Sequence, residues 1–500
     1  MACRSLSFWP MSRWVYVTAF VIACSRSEEP VATPVSDDRR PIPTPRENKG
    51  THVSGWWTSF GHVTEPRRAR GVTALDEVPD STWFTNRNTV RPLSAAEIRR
   101  GPAQHRAPRD GQKWVVIGMK QTGVALGLRA RDEAGDAFFL KLDPLGHDEV
   151  ETGAEIVVQR LMFAAGYNVP ENDVVYVTRD GLSAAADVKI EDIDALLARA
   201  ARESDGRYRM VASRVIPGEA IGGTMYLGTR AGDQNDRIPH EDRRDMRGFY
   251  SLAAWVNHTD LKPANGLDVW VPASSDSSRG YVVHYLLDFG KALGAMARID
   301  GTFEAGFAYE EKAEQVPWNA IGPFPDLRGL GFIESERFDP TSWKPLVRWL
   351  PFEKADRFDK AWGARVVASF TPAQIRAALE AARYSDPRTV DYLERVLVER
   401  QRKTLEQLSR GVAPLAQFEM RGGSLCFVDL WTRHALGGEA TYSVGAHRAV
   451  AKEDGTVCFE LPREVPPVVE IEVQRGGLAL PSTRVELAGS PPCVTAIQRR

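Results

Sequence analysis

Asp260, Lys262 and Asn265 stand close together in the stretch Asn257-His258-Thr259-Asp260-Leu261-Lys262-Pro263-Ala264-Asn265, and Asp288 opens Asp288-Phe289-Gly290 further along the chain. Residues of these types at this spacing could move a phosphoryl group. An Asp accepts the proton of an attacking hydroxyl, and a Lys two residues on neutralises the phosphate in transit. An Asn three residues later, with a second Asp, offers the hard oxygens that Mg²⁺ prefers. A lone His-x-Asp in a polar loop carries little weight. The joint pattern carries more, because the apolar run Tyr281-Val282-Val283-His284-Tyr285-Leu286-Leu287 delivers Asp288 directly.

The spacing H-x-D-x-K-x-x-N followed by Asp-Phe-Gly resembles the protein-kinase-like superfamily, with Thr259 where the usual kinase loop has Arg. The resemblance implies an α+β, bilobal protein-kinase-like fold: a small antiparallel β lobe, a helical lobe, and nucleotide in the cleft between them. It makes His258, Asp260 and Lys262 the catalytic set, Asn265 and Asp288 the metal ligands, and ATP with Mg the cofactors. Asp260 and Asp288 are 28 residues apart, longer than usual, and the excess reads as a hairpin loop over Pro272–Gly280. No Ala-Pro-Glu follows Asp-Phe-Gly, so the resemblance is to atypical relatives, HipA-like or secreted-kinase-like, without activation-loop phosphorylation.

The elements that must position these groups lie upstream. Lys113–Ile117 and Val124–Arg131 flank a Gly-containing turn, and a hairpin signal leads to Ala137-Phe138-Phe139-Leu140-Lys141-Leu142. Gly118, Gly123 and Gly127 would let backbone approach phosphates, although their spacing is not G-x-G-x-x-G. Lys141 is a charge inside an apolar strand and requires a partner. A helix over Glu149–Ala165, stopped by Gly166, supplies three acids, Glu149, Glu151 and Glu155. By resemblance to HipA-type kinases Glu155 is the expected partner, with Glu151 second. Val174–Val177 reads as a further strand, Ile190–Arg202 as an amphipathic helix, and Tyr208–Ile216 as the last strand of the small lobe. A helix from about His240 to Val256 leads into the catalytic loop. Its Arg243, Arg244 and Arg247 are expected to make salt bridges rather than a phosphate patch.

The expected organisation is a leader over 1–24, a disordered tether over 25–50 and an N-terminal extension over 51–110. A small lobe over 111–216, a helical lobe over 217–410 and a β-sandwich-like domain over 411–500 follow. The run Trp14–Ala23 is too short to span a bilayer, and Val21-Ile22-Ala23-Cys24 resembles a bacterial lipobox, which makes Cys24 a lipidation site. That implies a lipid-anchored protein of the cell envelope, periplasmic or surface-exposed, where disulfides are allowed. Cys426, Cys458 and Cys493 then permit one internal bridge with three possible pairings. The phrase Asp76–Arg87 resembles wording of exported kinase-like proteins and is expected to pack its aromatics on a lobe and pair Arg87 with a carboxylate. A formal net charge of −2 argues against a nucleic-acid binder. Taken together, the expected function is a membrane-anchored kinase-like phosphotransferase using Mg-nucleotide on an acceptor outside the cytoplasm. The alternative is a catalytically inactive pseudokinase or cell-surface binding module.

Overall fold

The computed structural model of the chain describes residues 38–45, 67–120, 125–274, 276–300 and 324–500. The leader with Cys24, most of the tether, Gly123 and the segment 301–323 lie outside the described residues. The protein is a mixed α/β molecule with several sheets and many helices.

A short strand β1 (Ile42–Pro43) and a helix α1 (Ala95–Arg100) precede the first large sheet. That sheet takes strands β2 (Trp114–Met119), β3 (Gly127–Arg131) and β4 (Ala137–Leu142). It is completed by β5 (Asn172–Val177), β6 (Leu182–Ala184) and β7 (Tyr208–Arg214), in the order β5-β7-β4-β3-β2-β6. All pairs are antiparallel except β2 with β6. Two helices interrupt the strand sequence, α2 (Val150–Ala165) and α3 (Ile190–Leu197).

Alternation decides where side chains go. In β4, Phe138, Leu140 and Leu142 are buried in one core, so Lys141 faces the opposite side of the sheet. That side is covered by α2, which is buried on nearly every face, as its apolar and small residues require. Asp143, just past β4, receives the backbone N–H groups of Glu149, Glu151 and Thr152 and the Thr152 hydroxyl. It thereby satisfies orphan donors at the start of α2 and fixes the helix to the strand that carries Lys141.

A second sheet begins with β8 (Glu219–Gly222) and continues, after helix α4 (Arg244–Trp255), with the hairpin β9 (Gly266–Ala273) and β10 (Asp276–Leu286). The strand order is β1-β10-β9-β8. Two expectations change here. Pro272–Gly280 is not an open loop: both strands extend into it, and an irregularity between Asp276 and Gly280 absorbs the excess residues. Residues 42 and 43 are not free tether, because Ile42 is buried and pairs with Gly280.

The helical part comprises α4, α5 (Ala295–Asp300), α6 (Leu350–Glu353), α7 (Arg357–Ala368), α8 (Pro372–Ala381) and α9 (Pro387–Leu408). Residues 324–349 carry no helix, although a mostly helical 301–410 was expected. α4 and α7 meet through glycines: a Cβ on Gly363 would lie 2.1 Å from the Gly248 carbonyl oxygen. The expected helix over His240–Val256 is divided. A 3-10 turn at His240–Asp242 and extended Arg243 precede α4, and the expected Ile190–Arg202 helix stops at Leu197. Arg400 from α9 donates to the carbonyls of Ala254, Trp255 and Glu334, two of which end α4.

The C-terminal part has its own core, including Leu425, Phe427, Tyr442, Ile471 and Val485, between a three-stranded and a five-stranded sheet. Besides the expected strands it contains Leu415–Arg421, His447–Val450 and Cys493–Arg499. Cys426 faces Cys458 across two paired strands and is bonded to it, which leaves Cys493 as the free thiol among the described cysteines.

Candidate active site

Lys141 Nζ lies 3.0 Å from Glu155 Oε2 and 3.1 Å from Asp288 Oδ1, so residues from a strand, a helix and a loop meet at one ammonium. The other Glu155 oxygen accepts from Asn172 Nδ2 at 2.9 Å, which orients the carboxylate. Burial works against the charge on Lys141, but the Glu155 and Asp288 carboxylates overcome it and push its pKa up. Lys141 in turn holds the Asp288 carboxyl well below the usual range against the cost of burial, with Lys120 and Lys262 helping. Lys141 and Asp288 therefore both keep their charges near neutral pH.

Asp288 has a positive φ of 62°. A non-glycine residue in this region is strained and is held there by its surroundings. Phe289 supplies the hold: it is fully buried, with its ring 5.5 Å from that of His258. His258 is buried too, and burial pushes its pKa down to about 4, so it is neutral at physiological pH.

The loop after α4 closes on itself. Lys262 Nζ is 2.8 Å from Asp260 Oδ2, and Asn265 Nδ2 donates to the Asp260 carbonyl oxygen at 2.6 Å. Leu287 N donates to Asn265 O at 2.8 Å, which seats the loop beside the segment leading into Asp288. Thr259 is buried and its hydroxyl approaches Met296 Sδ at 3.4 Å.

A small cleft of about 40 Å³ joins these groups and is lined by Lys141, Glu155, Asp260, Lys262 and Asp288. Gly118 and Gly127 are not among its lining residues. Gly118 lies within β2 rather than in the turn, and Gly127 begins β3. Lys120 and Ala125 line the cleft from that side instead. Lys120 was legible as a charge beside a glycine-containing turn. Glu151, the second choice for Lys141, pairs at 2.6 Å with Lys291, the residue after Asp-Phe-Gly, and burial raises its pKa to about 6. Glu149 faces Arg328 and the Ser385 N–H.

The other residues that the sequence singles out serve packing and salt bridges. Arg243 pairs with Asp245, Arg244 with Asp76 and Asp359, and Arg247 with Asp242 and Asp359, all as structural contacts. Arg87 is hydrogen-bonded to no carboxylate among the described residues; it donates to the carbonyl oxygens of Phe163 and Tyr167. Trp83 and Phe84 are buried as expected, Trp83 stacked on His284 at 3.7 Å.

Among the described residues no group of three or more His, Cys, Asp or Glu side chains is placed to hold a metal ion. No protein-family model matches the chain, and no curated protein matches it.

Proposed function

We propose that the chain is a kinase-like phosphotransferase with a bilobal protein-kinase-like fold, in which the first sheet with α2 forms the small lobe and α4 to α9 the large one. The observation that carries this reading is the convergence of Lys141, Glu155 and Asp288 within 3.1 Å contacts at the wall of a cleft that also holds Asp260 and Lys262. A buried strand lysine tied to a helix carboxylate is the arrangement that grips the phosphates of a nucleotide.

The residues fit Mg-nucleotide. Asn265 spends its side-chain nitrogen on Asp260, which leaves its Oδ1 without a hydrogen bond among the described residues, and Asp288 Oδ2 is likewise unpaired among them. Two hard oxygens suit Mg²⁺, which takes its remaining ligands from water and phosphate. When bound, the ion would neutralise charge on the transferring group. Lys141 holds the nucleotide phosphates, with its own orientation set by Glu155. Asp260 accepts the proton of the acceptor hydroxyl, and Lys262 steadies the phosphoryl oxygens as it leaves its pairing with Asp260. Neutral His258 and Phe289 keep the loop and Asp288 in register.

Attachment to a bacterial cell envelope through Cys24 belongs to the same proposal; no described helix is long and apolar enough to cross a membrane. Mass spectrometry of the membrane fraction tests it, because an unmodified Cys24 would remove the anchor.

One observation favours a second reading. Lys141, Lys262 and Lys291 all have carboxylate partners within the chain. A pseudokinase or binding module would keep such a self-satisfied cleft. Thermal stabilisation by Mg-ATP separates the readings, since a ligand at a hundred times its Kd adds about 2.7 kcal/mol. Stabilisation lost in Asp288→Ala supports nucleotide use, and none with any nucleotide or divalent ion contradicts it.

A further inference from the structure

A second cavity, of about 280 Å³, lies at the C-terminal end of α2, where Phe163 lines it, and shares no lining residue with the cleft at Lys141. Arg87, Arg91, Arg100 and Glu97 line it, with Val90, Leu93 and Phe163 as apolar wall. We propose that this pocket binds a small anion of the phosphate or carboxylate class that carries an apolar group. The inference is independent of the phosphotransfer reading.

The charge does not close on itself. Arg91 is paired with Glu97 at 2.7 Å. The hydrogen bonds of Arg87 go to carbonyl oxygens, and the exposed Arg100 side chain makes no hydrogen bond or ion pair to any described residue. Burial of Arg87, relieved only slightly by Asp80, pushes its pKa down to about 10, as expected of a guanidinium short of a counter-charge.

A blander role for the arginines is to cap the carbonyls that end α1 and α2. Three arginines stand against Glu97, and Asp80 adds a further negative charge acting on Arg87, which leaves a formal excess of one. Roughly one positive charge is left for a ligand. Arg87 does cap, through Phe163 O, but Arg100 touches no carbonyl and is left over.

The walls decide the rest of the ligand. Val90 is 75 % exposed and shares the pocket with Leu93 and the ring of Phe163, over which the Arg87 guanidinium sits at 4.3 Å. The volume falls just below the usual range of roughly 300–1,000 Å³ for drug-sized ligands. A ring or short chain bearing one anionic group fits.

The test is titration of the soluble chain with phenyl phosphate, benzoate and inorganic phosphate, read by calorimetry. Two variants accompany it: Arg100→Glu, whose side chain is exposed and unpaired, and Lys120→Ala/Lys262→Ala, which weakens anion binding in the cleft. We expect phenyl phosphate or benzoate to bind the parent and the cleft variant alike, and Arg100→Glu at least about tenfold more weakly. The tighter of the two aromatic probes names the anion class. Equal affinity for inorganic phosphate and phenyl phosphate would overturn the apolar part. An affinity unchanged in Arg100→Glu, lost in the cleft variant, or absent at about 10 mM probe would overturn the site.

Discussion

Two clusters in this molecule are built from nearly the same parts and differ in what surrounds them. At the cleft, Lys141, Glu155 and Asp288 meet beside open space. Some way off, Asp76 meets Arg244 at 3.1 Å, Arg499 at 2.8 Å and Arg365 at 3.8 Å, and Arg244 also holds Asp359 at 2.7 Å. The Asp76 cluster is sealed and spans the N-terminal extension, two helices of the central core and the last strand. It acts as a strut that ties chain ends to the core. The Lys141 cluster leaves one wall open, so its charges can exchange partners with a ligand. Composition alone does not separate a site from a strut; access does.

Four perturbations break or sharpen that contrast. The largest stability loss is expected from Asp76→Ala, which strands guanidinium groups in a dry interior and should cost about 3–5 kcal/mol in urea unfolding. An effect below about 1 kcal/mol would mean that the cluster is not a strut.

Next comes His258, buried beneath the cleft with its pKa lowered from 6.5 to about 4. Its native form binds fewer protons than the unfolded chain. Its contribution is therefore complete above pH 6.5 and lost as pH falls toward 4, a change on the order of 3 kcal/mol. A His258→Leu variant should show a flatter pH profile of melting temperature over that window; an unchanged slope would reject the assignment.

Gly363→Ala should cost about 1–3 kcal/mol by forcing α7 off the Gly248 carbonyl, with nucleotide affinity little altered. The smallest expected effect belongs to Asp288→Ala. Lys141 keeps Glu155 and Asp288 is partly open to solvent, so the stability loss should stay well below that of Asp76→Ala while ligand stabilisation disappears. A loss as large as that of Asp76→Ala would erase the contrast between the two clusters.

Much of the site was legible because its signals are local. A lysine in an alternating apolar strand announces a buried partner, and Glu155, Asp260, Asn265 and Asp288 lie in short stretches whose spacing carries chemistry. The Asp76 strut was not legible, since its partners lie more than 160 residues away and no periodicity links them. Asp143 was hidden for another reason: before Pro144 it reads as a turn residue, and only the fold shows it capping α2. Gly118 and Gly127 fall inside β2 and β3, Gly118 at an irregular register, and their spacing alone does not show which backbone meets the cleft. The pairing of Cys426 with Cys458 depended on strand register, which composition leaves open.

The most direct measurement is a density map of the soluble chain soaked with Mg²⁺ and a non-hydrolysable ATP analogue. The account predicts phosphate oxygens within about 3 Å of Lys141 Nζ and a metal ion between the Asn265 and Asp288 oxygens. A cleft that stays closed by its own ion pairs at saturating nucleotide, or a nucleotide bound elsewhere, would contradict it.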